Sequence, residues 1–233
     1  MLLSPLNWLI HLSSSLEWGV ALVMLYRYGR LIGRKDVQRF GLFMLPHWIG
    51  SWFVLAYHIT GDSIMRFLEM SEAINLVGSI ALLYATIKIL KGDEKREAKP
   101  ANAWMGALFG GVVLASGSGS TPYSFMMGSS WFDAVLQVSS IVYLTFLVLL
   151  LKVRKQDPEV FSGLTVAGFW FVLVFISVTV VCMYIAMHVL GYQSLSHNDL
   201  LHGFAESLLS VSNLMIVIGV HKQHKLAEQR LSA

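Results

Sequence analysis

Long apolar runs alternate with short polar clusters along the chain, at the spacing of a protein that crosses a bilayer repeatedly. A helix needs about 20 mostly apolar residues to traverse hydrocarbon, because only intrahelical bonding satisfies its backbone there. Six segments meet that requirement: residues 3–26, 40–59, 64–90, 131–151, 163–190 and 200–220. Pro46, just before His47, removes one helical hydrogen bond and predicts a kink in the second of them.

A seventh run, 101–118, is diluted by Gly106, Gly110, Gly111 and Gly117, so hydropathy alone leaves it open. The basic residues decide, because Lys and Arg in short loops stay on the cytoplasmic side. With seven crossings and the N-terminus outside, every Lys and Arg except Arg66 falls on the inner face. With six, the clusters at Lys152–Lys155 and Lys222–Arg230 move outside. The sequence therefore predicts an all-α bundle of seven transmembrane helices, N-terminus out and C-terminus in. Its layout is three helices, an inverting fourth, and three more. Residues 1–91 form the first unit, 92–130 a polar linker with the weak span, and 131–233 the second unit. Some transporters are built from parallel repeats of this kind.

Composition supports this class. Of the 233 residues, 55% are hydrophobic and only 13% charged, against roughly 25% charged in a soluble domain. A net charge of +3 without a clustered basic surface excludes a nucleic-acid partner. The one cysteine, Cys182, excludes an internal disulfide and a cysteine-rich metal site. Nucleophile elbows, phosphate-binding loops and dinucleotide fingerprints are absent, so enzyme chemistry is not favoured and no cofactor is assigned.

Ionisable side chains are costly in lipid, so their positions carry information. In the third span Glu72, Asn75, Ser79 and Thr86 lie on one stripe, and in the last His202, Glu206, Ser210 and Asn213 do the same. The fifth carries Asp133, Gln137 and Ser140; the first carries His11 and Glu17; the second ends in His58. On the seven-span topology these groups collect in the outer half, as a chamber of imidazoles and carboxylates above an apolar inner half. Three uses stay open. Histidines and carboxylates can relay protons or hold a small solute; the candidates are His11, Glu17, His58, Glu72, Asn75, His202, Glu206 and Asn213. Alternatively His202 and Glu206, one turn apart, ligate a metal, with His11 or His188 completing the shell. The third use is helix packing alone.

Two stretches carry a family resemblance. His11-Leu12-Ser13-Ser14-Ser15-Leu16-Glu17-Trp18, Tyr26-Arg27-Tyr28, Met44-Leu45-Pro46-His47 and Tyr57-His58 resemble a family of small uncharacterised membrane proteins of cyanobacteria and plastids, one of them a conserved plastid open reading frame. Asn198-Asp199-Leu200-Leu201-His202-Gly203-Phe204-Ala205-Glu206-Ser207, with Ser212-Asn213 and Val217-Ile218-Gly219, resembles a second uncharacterised family. The chain looks like a fusion of the two. The resemblance implies a photosynthetic setting and a plasma or thylakoid membrane; the cysteines of the pattern near Ser51–Tyr57 are missing here. The leading expectation is a membrane protein that binds or transports a small solute, ion or proton through an outward-facing His/carboxylate site. The alternatives are a non-catalytic assembly or scaffold protein of a larger membrane complex, and a metal-dependent intramembrane enzyme.

Overall fold

The computed structural model describes residues 3–94 and 130–232, the side chains of 93, 94 and 130–133 excepted. Helix α1 spans Pro5–Leu31; Ser4 caps it by accepting the Asn7 N–H, and Pro5 occupies the first turn, where its missing donor costs nothing. After Gly33, α2 (Lys35–Phe43) and α3 (Leu45–Ile59) make one crossing, interrupted at Met44. The kink expected at Pro46 is a full break, with Pro46 in the first turn of α3. Helices α4 (Met65–Glu94), α5 (Ser130–Gln156) and α6 (Gly163–Tyr184) follow. Helix α6 widens into a π turn, Ile185–Val189; a 3₁₀ turn, Leu195–His197, then leads into α7, Asp199–Ser232.

Among the described residues six segments are long and apolar enough to cross a membrane. They are the six read from the sequence, and most run on into the polar flanks, because a helix does not stop where the lipid does. The seventh run, 101–118, and the side chain of Asp133 lie outside the described residues.

Helices α1 and α7 pack side by side and point the same way: Ser4 bonds Asp199 at one end, and Tyr28 lies against Gln223 at the other. The second end is basic and tied together. Arg34 Nη1 donates to Asp157 Oδ2 at 2.6 Å, Gln223 Nε2 to the Glu159 carbonyl at 2.6 Å, and Arg230 pairs with Glu159. Helix α4 ends here, with Gly92 beside Asp36, and so does α5, whose last residue precedes Asp157. Helix α5 therefore begins at the opposite end from the one where α4 finishes.

The apolar core fills the basic half. Phe40, Phe146, Phe161 and Phe169 meet ring to ring, and Leu25, Leu82, Leu150 and Ile216 close around them, all fully buried. Lipid gives helices little hydrophobic reason to associate, so close packing and hydrogen bonds between helices carry the cohesion. One such bond runs from Ser212 Oγ on α7 to the Gly168 carbonyl on α6. Each helix trio interlocks with the other, α1 lying on α7 and α4 on α5.

Candidate functional site

The end opposite the basic one is polar, and its geometry starts from a latch. Asn7 Nδ2 donates to Asp199 Oδ1 at 2.6 Å and to the Asp199 carbonyl at 2.9 Å, and the Ser4 N–H donates to the same carboxylate at 3.2 Å. This ties the first turn of α1 to the first turn of α7. Gly203 lies under Asn7, and a Cβ there would collide with Asn7 Oδ1, so the bare backbone is what permits the close approach. One turn beyond Asn7 stands His11, and three residues beyond Asp199 stands His202. Their Nε2 atoms meet at 2.8 Å.

Helix α3 delivers a third imidazole. It ends in a Schellman motif: the Asp62 N–H donates to the Tyr57 carbonyl and the Gly61 N–H to that of His58, with Gly61 and Asp62 both left-handed at φ 63° and 60°. A non-glycine residue in that region costs of order 1–3 kcal/mol and persists where its surroundings demand it. Here the turn folds the Asp62 carboxylate back onto His58, Nδ1 to Oδ1 at 2.8 Å. Burial alone would raise the Asp62 carboxyl, but the hydrogen bond from His58 and the group's other polar and charged neighbours together outweigh it and hold the group below the usual carboxylate range.

The three imidazoles form a closed triangle. Ring centroids are 4.7 Å apart for His11 and His58, 5.1 Å for His11 and His202, and 5.3 Å for His58 and His202. One ligand nitrogen from each lies within 4.8 Å of the others, and the side chains are 4–7% exposed. Glu206, one turn past His202, places Oε2 3.8 Å from His11 Nδ1. Among the described residues no Lys or Arg pairs with Asp62 or Glu206; each faces a histidine. Two buried atoms, His202 Nδ1 and Asp62 Oδ2, have no hydrogen-bond partner among the described residues.

Of the eight residues expected to form the site, His11, His58, His202 and Glu206 converge. The other four do not join them. Glu17 takes the Ser210 hydroxyl on both oxygens, at 2.7 and 2.8 Å. Asn213 Nδ2 donates to the Ser14 carbonyl and hydroxyl. Asn75 packs over Gly50 and reaches Ser71 at 3.4 Å, and the half-buried Glu72 makes no hydrogen bond among the described residues. Glu17 and Asn213 thus bind α1 to α7, whereas Asn75 belongs to the α3–α4 seam. The expected open chamber is, at this cluster, a closed knot of rings. His188 lies exposed beside Tyr184, outside the cluster, and His47 sits half-buried against Trp18 and Ser79 nearer the basic end.

Sequence reasoning missed Asp62. It reads as an ordinary loop residue after Gly61; the available signal was its spacing, four residues past a histidine at a helix end. For a metal, the donor set is also redrawn: His58 joins His11 and His202, while Glu206 stands behind His11.

Residues 2–88 match a family model described as a protein of unknown function, DUF2499, and residues 132–225 match a second, DUF3593, also of unknown function. Two distinct uncharacterised families thus cover the two ends of the chain, consistent with a fusion. His11 and His58 fall in the first matched stretch, His202 and Glu206 in the second. No curated protein and no solved structure matches the chain.

Proposed function

We propose that this protein is a multispanning membrane protein that binds a small cation at the His11–His58–His202 cluster, on the non-cytoplasmic side of the bilayer. One observation carries the reading. Three buried imidazoles and two carboxylates, Asp62 and Glu206, meet without a Lys or Arg partner among the described residues. Any charge that these carboxylates carry in the buried cluster is expensive unless a cation balances it.

The distribution of charge supports the orientation. The described basic residues gather at the far end of the bundle, on the last turns of α1, α4, α5 and α7 and in α2, with Arg66 as the exception at the site end. Such an end faces the cytoplasm. Helix polarity supports the seventh crossing, since α4 finishes at the basic end and α5 starts at the other. On this reading the halves are parallel three-helix units, with the site at their seam.

The test is thermal unfolding of the full chain in detergent against a panel of monovalent and divalent cations and over a range of pH. A cation present at about 100 times its Kd stabilises by about 2.7 kcal/mol. For a chain of this size that is roughly 5–10 °C. The expected result is such a rise for at least one cation, reduced in Glu206→Gln at unchanged yield. If no cation moves the wild-type transition, the scaffold reading takes this cluster.

A further inference from the structure

Resting on the cation reading above, we infer that the occupant is one divalent d-block metal ion of the zinc type, ligated by one imidazole each from α1, α3 and α7. The donor chemistry makes the choice. Imidazole nitrogen suits zinc, cobalt, nickel and copper, whereas calcium and magnesium take oxygen shells. Three histidines with one position left over is the ligand set of an accessible zinc site.

The distances fit. Around a tetrahedral ion with metal–nitrogen bonds of about 2.0–2.1 Å, ligand nitrogens stand about 3.3 Å apart. Here the His11 and His202 Nε2 atoms are 2.8 Å apart, and the three ligand atoms all lie within 4.8 Å of one another. A shift of under about 1 Å per ring closes the triangle on an ion, within reach of small side-chain rotations.

The surroundings fit as well. Histidines that ligate metals usually give their second ring nitrogen to a carboxylate, which fixes the tautomer and sharpens the donor. Asp62 stands behind His58 in this way at 2.8 Å, and Glu206 lies near His11 at 3.8 Å. A His58 Nδ1–H given to Asp62 leaves the lone pair on His58 Nε2 for a metal. Without an ion, the bond between His11 and His202 needs one Nε2 to carry a proton. A divalent ion supplies the positive charge that no described Lys or Arg brings to Asp62 and Glu206. The remaining coordination position is free for water or for a group passing through the site.

The inference is tested by equilibrium dialysis of the purified full chain in detergent with Zn²⁺ and Co²⁺, with the Co²⁺ visible spectrum recorded. One ion per chain is expected, with the intense d–d bands of tetrahedral cobalt and no competition from millimolar Mg²⁺ or Ca²⁺. His11→Ala, His58→Ala and His202→Ala should each lower affinity by at least 100-fold. His47→Gln, at a half-buried histidine outside the cluster, should keep it. The wild-type cobalt spectrum reads the ligation without any variant, so poor folding of an alanine variant leaves the test intact. Octahedral cobalt, or no saturable binding by folded wild-type protein, overturns the inference. If Zn²⁺ and Co²⁺ fail while protons or a monovalent cation still raise the unfolding temperature, the cation reading stands and the metal does not. If nothing binds, both fall.

Discussion

Replacing Asp62 separates the electrostatic role of the carboxylate from its structural one. Asp62→Asn keeps an oxygen to accept the His58 Nδ1–H, now 2.8 Å from Oδ1, and asparagine tolerates the φ of 60° as well as aspartate does. The metal-free fold should therefore change by less than about 1 kcal/mol. What is lost is the charge that makes His58 a better donor. Losing such a carboxylate costs 10–100-fold in metal affinity, or about 1.4–2.7 kcal/mol. Asp62→Ala removes the acceptor too. It leaves a buried N–H unpaired, at about 1–3 kcal/mol. It also puts a residue with no locally bonding side chain at a left-handed position, at about 1–2 kcal/mol. Together these lower the unfolding transition by roughly 5–15 °C. The assay is zinc affinity by competition, alongside thermal unfolding of the metal-free protein. The carboxyl is held below its ordinary range, so its stabilisation is present above about pH 4 and is lost as pH falls through its folded value. The wild type should show that acid limb and Asp62→Asn should not. Equal loss of metal-free stability in the two variants, or wild-type affinity in Asp62→Asn, would refute the reasoning.

Other expectations follow from the same geometry. Gly203→Val drives a side chain into Asn7, forcing α1 off α7; unfolding should come about 1–3 kcal/mol earlier, and zinc should no longer stabilise, because His11 leaves His202. Chelating the metal from loaded wild type should lower the transition by roughly 5–10 °C, and restoring Zn²⁺ should reverse it. Arg34→Met cuts the links to Asp36 and Asp157 at the basic end, with a loss of about 1–2 kcal/mol and unchanged zinc affinity, measured by denaturation and competition. Cysteines placed at exposed Ser63 and at Lys155 should react with an impermeant thiol reagent from opposite sides of sealed vesicles; native Cys182 is buried and adds little background. Reaction from one side would remove the proposed orientation.

The crossings were legible because lipid imposes a length and a composition on any helix within it, and the six described spans follow that rule. The polar residues were legible as unusual for the same reason. Which of them meet was not. A helical stripe fixes a direction around its own axis and says nothing of the neighbour, so His11 and Glu17 both stood as candidates, although one faces imidazoles and the other Ser210. Pairing of α1 with α7 across 190 residues of sequence depends on Asn7, Asp199 and Gly203, whose joint geometry no local pattern reveals. Asp62 was invisible for a different reason: its role comes from two consecutive left-handed residues, and only the backbone shows that they turn the carboxylate back on His58. The break at Met44, expected as a kink, followed from Pro46 starting a helix more readily than bending one.

X-ray absorption at the zinc edge of the zinc-loaded full chain tests the central claim most directly, since it reads the ion's neighbours without altering the protein. Three nitrogen donors at about 2.0 Å, with the multiple-scattering signature of imidazole, are the predicted result. A shell of oxygen alone, or zinc lost on washing so that no edge is recorded, would contradict the convergence of His11, His58 and His202 on a bound ion.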